Sequence, residues 1–305
     1  MRIIRDIKNT ILTHSCVLAI GNFDGLHIGH EKIIKKTLEI ASNEKINSAI
    51  LSFSPHPASF FKKLEDKNFL ITNISQKIKL LNSRQLDYFF IGRFNSEIAN
   101  MEARDFVKEI LFKKLKVKYI VIGYDFIFGK NRQGNINLLR EMGDEMGFHV
   151  VTIEEVRINN KTASSSLIRN LLKSGEIGEA NKILGRNFSI SGTVIEGKKI
   201  ARSIGYPTAN IKVKKNTIHP KYGVYRGKIG LENQIKDAII NFGIRPTLSQ
   251  DKEPLYEIHI LDFNGSLYNK KISFELIEFI REEKKFSSIK ELKNQIEIDI
   301  EKIKN

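Results

Sequence analysis

The sequence predicts an α/β domain followed by an all-β domain, with the boundary near residue 185. Three observations lead there. Up to about residue 155, short apolar runs alternate with segments of helical periodicity, the mark of βαβ units and a mostly parallel sheet. From about residue 188 the apolar residues instead recur with a period near two, between Gly, Asn and Pro turns, which fits a barrel or a compact sandwich. A chain of 305 residues suits about two domains, each large enough to bury its own core. No repeat and no low-complexity linker separates them, so the domains are read as 1–184 and 185–305.

The first domain has candidate strands VLAIG (17–21), AILSF (49–53), YFFIG (88–92), YIVIG (119–123) and HVVTI (149–153). Helix-like segments 28–44, 74–84, 102–116 and 135–146 lie between them. In the first of these, Ile33, Ile34, Leu38 and Ala41 are spaced for one buried face. Several strands end in Gly, and open α/β sheets bind ligands beyond such carboxyl ends. Residues 164–184 read as two short helices broken at Ser174-Gly175. The strands of the second domain are drawn from FSISGTVIEG, TANIKVK, YGVYRGKIGL, KDAIINFG, YEIHILDF and KKISFELIEFI. A closing amphipathic helix places Ile289, Leu292, Ile296 and Ile300 on one side, with Ser287 and Ser288 as N-cap candidates.

Composition narrows the functional classes. Hydrophobic residues make up 41% and charged residues 28%, as in ordinary soluble proteins. No apolar run approaches the roughly 20 residues that span a bilayer, and the N-terminus carries no secretory signal. A single cysteine, Cys16, excludes an intramolecular disulfide framework and fits a reducing, cytoplasmic setting. It sits in an apolar run and reads as a small buried hydrophobe. The net charge is +15, with 28 basic against 20 acidic residues to position 184 and 22 against 15 after it. Charge is therefore spread over both domains, mostly as solvated helical faces, so no nucleic acid or membrane is expected as partner.

The stretch GNFDGLHIGH, 21–30, carries the first chemistry. His27 and His30 are three residues apart, which on a first helical turn puts both imidazoles on one face. Gly29 leaves room for a nucleotide against the backbone, and the helix N-terminus adds free N–H groups and partial positive charge. Such an arrangement suits ATP phosphates and the charge that builds in adenylyl transfer. HIGH also marks class I aminoacyl-tRNA synthetases, but their KMSKS loop has no counterpart here. Three further stretches follow in order: SFSPHP (52–57), VIGYDFIFGKNRQG (121–134) and SSSLIR (164–169), the last placing Ser and Arg169 at a predicted helix start. Together with GNFDGLHIGH they resemble the FMN adenylyltransferase module of bacterial bifunctional flavin synthetases, within the wider HxGH nucleotidyltransferase superfamily.

In the second domain, GYPTAN (205–210) combines a Pro-fixed turn at Pro207, a flexible Gly205, and two hard oxygen ligands at Thr208 and Asn210. Glu257, on a predicted strand, can take a proton from an attacking alcohol. GYPTAN, GVYRG, NFGIRPT, YEIHILDF and FIREEKKFSSIKELKNQI occur in the order found in riboflavin kinases, which this half resembles. The departures are Ala201, Asn269 where Gly is common, and a loop after Thr247 without its usual Gly.

The resemblance covers essentially the whole chain. It implies a Rossmann-like nucleotidyltransferase domain and a six-stranded antiparallel barrel with a terminal helix. It further implies two reactions, riboflavin to FMN and FMN to FAD, with ATP as co-substrate and Mg²⁺ as cofactor. The implied catalytic residues are His27, His30, Arg169 and Glu257. Nucleotide would be bound by Gly21, Phe23, Asp24, Gly29, Asp125, Ser164, Ser166, Gly205 and Pro207. Thr208 and Asn210 would hold the metal, and Arg281 and Phe286 would cover flavin. Phe126 and Phe128 are flavin-stacking candidates or core residues. The expected partners are riboflavin, FMN and ATP alone, in a monomer or weak homo-oligomer. An FMN adenylyltransferase with a silent kinase half is the alternative.

Overall fold

The structure, a computed structural model, describes residues 1–62, 68–197, 205–213, 216–231, 234–244 and 254–304. Ala201 and the segment after Thr247 lie outside them. The chain divides into two compact units, Met1–Ser165 and Ser166–Asn305.

The first unit runs β1 (Arg2–Ile4), β2 (Cys16–Ile20), α1 (Ile28–Glu44), β3 (Asn47–Ser54), α2 (Pro57–Phe61), α3 (Ile74–Asn82), β4 (Tyr88–Arg93), α4 (Ser96–Ala99), α5 (Ala103–Asp105), a π-helix (Phe106–Lys114), β5 (Val117–Gly123), α6 (Ile136–Met146) and β6 (His149–Ile153). A small hairpin, β7 (Arg157–Ile158) with β8 (Lys161–Thr162), follows. The six main strands form one all-parallel sheet in the order β1-β4-β3-β2-β5-β6. All five residues of β2 are buried because helices cover both faces. Cys16, Leu18 and Ile20 join a cluster with Phe106, Val107, Ile110 and Leu111, while Val17 and Ala19 join one with Ile33, Ile34 and Ala41 of α1. The Cys16 thiol donates to the Leu115 carbonyl at 3.2 Å, and burial pushes its pKa up to about 12.

From β2 the chain progresses through β3 and β4 to one side and through β5 and β6 to the other. The reversal lies between β2 and β5, so the carboxyl ends of these two strands flank the crevice where such sheets bind ligands. Gly21 follows β2 and Gly123 ends β5.

The second unit contains α7 (Ser165–Ser174, its first residue at the division), α8 (Ile177–Leu184), β9 (Phe188–Ile195), β10 (Thr208–Val213), β11 (Gly223–Leu231), β12 (Gln234–Ile244), β13 (Pro254–Ile260), β14 (Lys271–Arg281) and α9 (Ile289–Lys304). The strands close a barrel in the order β10-β13-β12-β11-β14-β9. Closure removes the sandwich alternative. Ile211, Tyr225, Ile240, Phe242, Tyr256, Ile258 and Phe274 are fully buried, and Phe242 stacks on Tyr256 at 4.3 Å. By contacts, α7 and α8 group with the barrel. The reason is visible in Asn181 of α8, which accepts from Phe188 N at 2.7 Å and donates to Leu276 O at 2.9 Å. Asn269 has φ +63°, a left-handed turn position that Asn tolerates best after Gly.

α9 starts as expected: Ser288 Oγ accepts from Glu291 N, and Ser287 donates N–H and O–H to the Glu291 carboxylate. Its inner face differs from the sequence reading. Ile289 is 59% exposed, while Ile300 and Ile303 pack on Val224 and Ile239 outside the barrel. Asp299, 1% exposed, lies on that inner face and accepts a forked bond from Arg281 at 2.7–3.0 Å. Breaking one side of a buried ion pair leaves an uncompensated charge. Asp299→Ala is therefore expected to cost the barrel roughly 3 kcal/mol, read as a lower urea midpoint.

Candidate active sites

The turn from β2 into α1 folds tightly. Phe23, Gly25 and Leu26 all have positive φ (47°, 88° and 44°), a costly choice for Phe and Leu. Both side chains are nevertheless fully buried. Asp24, 1% exposed, accepts from the backbone N–H groups of Ile71 and Thr72, and Thr72 Oγ1 accepts from Gly25 N at 2.6 Å. Ser165 Oγ donates to the Asp24 carbonyl at 2.8 Å. Asp24 and Phe23 thus act here as anchors of the loop, buried beneath it, rather than as surfaces open to a nucleotide.

Lys77 completes the anchoring. It is 5% exposed, and its ammonium donates to Asn22 O and to Ser52 Oγ (3.1 Å), while Ser52 itself donates to Asn22 O. Burial pushes its pKa down to about 8, against the opposing charge of Asp24. Sequence reasoning passed over Lys77. Its signal was its position: Ile74, Lys77 and Leu81 share one face of α3, so a lysine there points into the core.

On this base His27 is the N-cap of α1, and its side chain makes no capping bond. The His27 and His30 rings stack at 3.7 Å with planes 24° apart, and Phe23 meets His30 edge-on at 5.2 Å. The i, i+3 spacing thus brings both imidazoles together as the sequence implied. Gly29 also serves the histidine pair. A Cβ there would lie 3.1–3.2 Å from the His27 ring, so the missing side chain makes room for that imidazole.

Across the crevice, β5 delivers Asp125, which is exposed, and its carboxylate lies close over Gly123. Phe126 and Phe128 stack on each other at 5.5 Å and pack, half-buried, against the core around Phe106. A second aromatic group went unnoticed in the sequence. Phe94 is met edge-on by Phe53, Phe60 and Phe61 at 5.3–5.7 Å beside the carboxyl ends of β3 and β4, and Phe61 is 65% exposed. His56 caps α2 by accepting from Ala58 N, so the SFSPHP turn serves local structure. Ser164 precedes α7, with Ser166 and Arg169 in its first turns; Ser166 is exposed and Arg169 half-buried.

In the barrel, Gly205 takes φ +90°, and the Pro207 carbonyl accepts from His259 Nδ1 at 3.0 Å. Thr208 and Asn210 are two residues apart on β10 and share a face. Register puts Asn210 directly opposite Glu257 of β13, and Glu257 directly opposite Asn241 of β12. Their neighbours Ile211, Tyr256, Ile258, Ile240 and Phe242 fill the interior, so this polar row lies on the outer face. The Arg281 guanidinium is bonded to Asp299, and its central carbon lies 6.0 Å from the centre of the Phe286 ring.

His219 is a structural histidine in the same unit. Its Nδ1 lies 3.1 Å from Tyr256 Oη, its ring packs on Phe242 at 5.0 Å, and burial pushes its pKa down to about 4. Between about pH 6.5 and 4 the unfolded chain binds a proton here that the folded chain does not, so stability falls with pH across that window, by up to about 3 kcal/mol. Urea midpoints of the wild type should drop over that range, and His219→Gln should flatten the drop.

Both halves match known families. The FAD synthetase family model matches residues 10–167, and the riboflavin kinase model residues 184–305. A bifunctional riboflavin kinase/FMN adenylyltransferase of Buchnera aphidicola (subspecies Schizaphis graminum) is 42% identical, over 100% of this chain and 98% of the relative. The protein of that name in Escherichia coli K12 is 33% identical over 98% and 96%. A solved structure described as a macrolide-efflux protein of Streptococcus pneumoniae superposes with TM-score 0.89 at 26% identity, over 100% and 98%. Among the described residues, no helix of this chain is long and apolar enough to cross a membrane.

Proposed function

The chain belongs to the family of bifunctional riboflavin kinase/FMN adenylyltransferases, and from that premise we propose how its residues share the work. It is a transferase of two activities: riboflavin and ATP give FMN, and FMN and a second ATP give FAD and pyrophosphate. The alternative of a silent kinase half has no support, since both models match and Thr208, Asn210 and Glu257 stand together on one barrel face.

We assign the kinase to residues 185–305 and the adenylyltransferase to 1–184. The register of β10 against β13 carries the kinase assignment, because it sets a hard-oxygen ligand opposite a carboxylate. Glu257 takes the proton of the ribityl 5′-hydroxyl as its oxygen attacks the γ-phosphorus and ADP leaves. Thr208 and Asn210 fit Mg²⁺ by donor type, a pair of neutral oxygens that leaves positions for substrate phosphates. Bound there, the ion would neutralise polyphosphate charge. Gly205 and Pro207 shape the nucleotide turn, and Phe286 covers the flavin.

In the other half, a phosphate oxygen of FMN attacks the α-phosphorus of ATP, and pyrophosphate departs. His27 and His30 stabilise the charge developing on the α-phosphate. The α1 N-terminus and Gly21 receive the nucleotide, Asp125 contacts nucleotide or its metal, and the half-exposed faces of Phe126 and Phe128 take the flavin ring. Ser164, Ser166 and Arg169 hold phosphate at the start of α7. The even spread of charge and the buried thiol support a cytoplasmic enzyme, monomeric or weakly associated, that works on small molecules and not on nucleic acid.

Chromatography of flavins after incubation with riboflavin, ATP and Mg²⁺ tests this. FMN should appear first and FAD after it, and EDTA should stop both. FMN alone would sink the reading of His27 and His30; no product even from supplied FMN would sink both sites.

A further inference from the structure

The row on the barrel face continues past the proposed base. Asn241 stands beside Glu257 on β12 as Asn210 does on β10. It opens the NFGIRPT stretch, in which no residue was assigned a role. Its amide nitrogen donates to the carboxylate of Glu283, in the segment after β14. Gly243, two residues along on the same face, makes this reach feasible, since a Cβ there would overlap the Glu283 carboxylate. Glu283 is an exposed residue, yet its carboxyl lies over this glycine. Burial raises its pKa, the Asn241 bond opposes the rise, and the charge of Glu257 adds to it, which puts both carboxylates in one neighbourhood.

With the amide nitrogen occupied, the orientation of Asn241 is fixed, and its Oδ1 is aimed away from Glu283. That oxygen is shielded from solvent and has no hydrogen-bond donor among the described residues. A buried acceptor left unpaired costs on the order of 1–3 kcal/mol, so its persistence in a closed barrel calls for a donor that arrives with a ligand. The base beside it cannot supply a donor while ionised, and phosphate oxygens only accept. A hydroxyl can. The phosphoryl acceptor assigned to this face, on the kinase reading above, is a polyol chain carrying several.

We propose that Asn241 is a substrate-binding residue of the kinase half, whose Oδ1 accepts a hydrogen bond from one secondary hydroxyl of the ribityl chain. Glu283 is its positioning residue, holding the amide so that the oxygen faces the acceptor. The bond fixes the chain relative to Glu257 and so favours flavins with an intact polyol over truncated ones.

A double-mutant cycle between protein and substrate tests this. Asn241→Leu is compared with wild type on riboflavin and on its 2′-, 3′- and 4′-deoxy analogues. One analogue should lose about tenfold in kcat/KM with the wild type and little with Asn241→Leu, while the others lose equally in both proteins. Riboflavin KM should rise in the variant, with the KM for ATP unmoved. Glu283→Gln should shift the same analogue's ratio less, and Glu283→Ala more. Losses that are additive for every analogue would overturn the proposal, as would an unchanged riboflavin KM. Conversion of supplied FMN to FAD, and the urea midpoint of the barrel, show that each variant is folded. Should Glu257→Gln still phosphorylate riboflavin at the wild-type rate, the kinase reading itself would fall, whatever Asn241 did.

Discussion

Glu257→Gln is expected to stop riboflavin phosphorylation, by on the order of 10²–10⁴-fold in kcat, while supplied FMN is still turned into FAD. The substitution keeps volume and hydrogen bonding but removes the carboxylate proposed to accept the proton. Its strand partners on either side, Asn210 and Asn241, are neutral amides, and the nearby Glu283 carboxylate is tied to the Asn241 amide. The loss should fall on kcat more than on the KM for ATP, because Thr208 and Asn210 are untouched. A flavin chromatogram that still shows FMN at the wild-type rate would remove Glu257 from the chemistry.

His27→Ala is the complementary case. FAD formation from FMN should fall about 10²–10³-fold, with FMN formation from riboflavin unchanged. Removing one imidazole also removes the stacking partner of His30, so the two histidines act as a unit and the double variant should cost little more than either single one. Gly29→Ala tests the same geometry without touching either ring. The added methyl would sit 3.1–3.2 Å from His27 and must push it aside, so adenylyl transfer should fall while ATP still protects the domain against urea. Full activity in Gly29→Ala would show that the position of the His27 ring is unimportant.

Much of this was legible in the sequence because burial on two faces leaves a plain signature. Strands such as β2, β3 and β5 are continuous apolar runs between helical periods. β1, with only Arg2–Ile4, is too short to show one. The helix expected over 102–116 exists, but most of it winds as a π-helix, and an amphipathic pattern does not distinguish i→i+4 from i→i+5 bonding. The placement of the candidate residues was legible where it is local, as in the two histidines of one turn or Thr208 and Asn210 of one strand. What stayed hidden depends on residues far apart in the chain. Arg281 looked available until Asp299 was found beneath it, and Asn241 had no visible role until Glu283 and Gly243 were seen around it. Likewise, nothing local tells that Asp24 turns inward to hold the amides of Ile71 and Thr72.

The polar row across β10, β13 and β12 has one more consequence, for how a newly made chain becomes an enzyme. The outward positions of Asn210, Glu257 and Asn241 are set by the same alternation that sends Ile211, Tyr256 and Phe242 inward. A slip of one residue in any of these strands would put a carboxylate or an amide in the oil and a ring in the water. A near-miss pairing is thus penalised by the core before it can yield a closed but inert barrel. The pairing that makes the barrel stable is also the pairing that brings Asn210, Glu257 and Asn241 into one row.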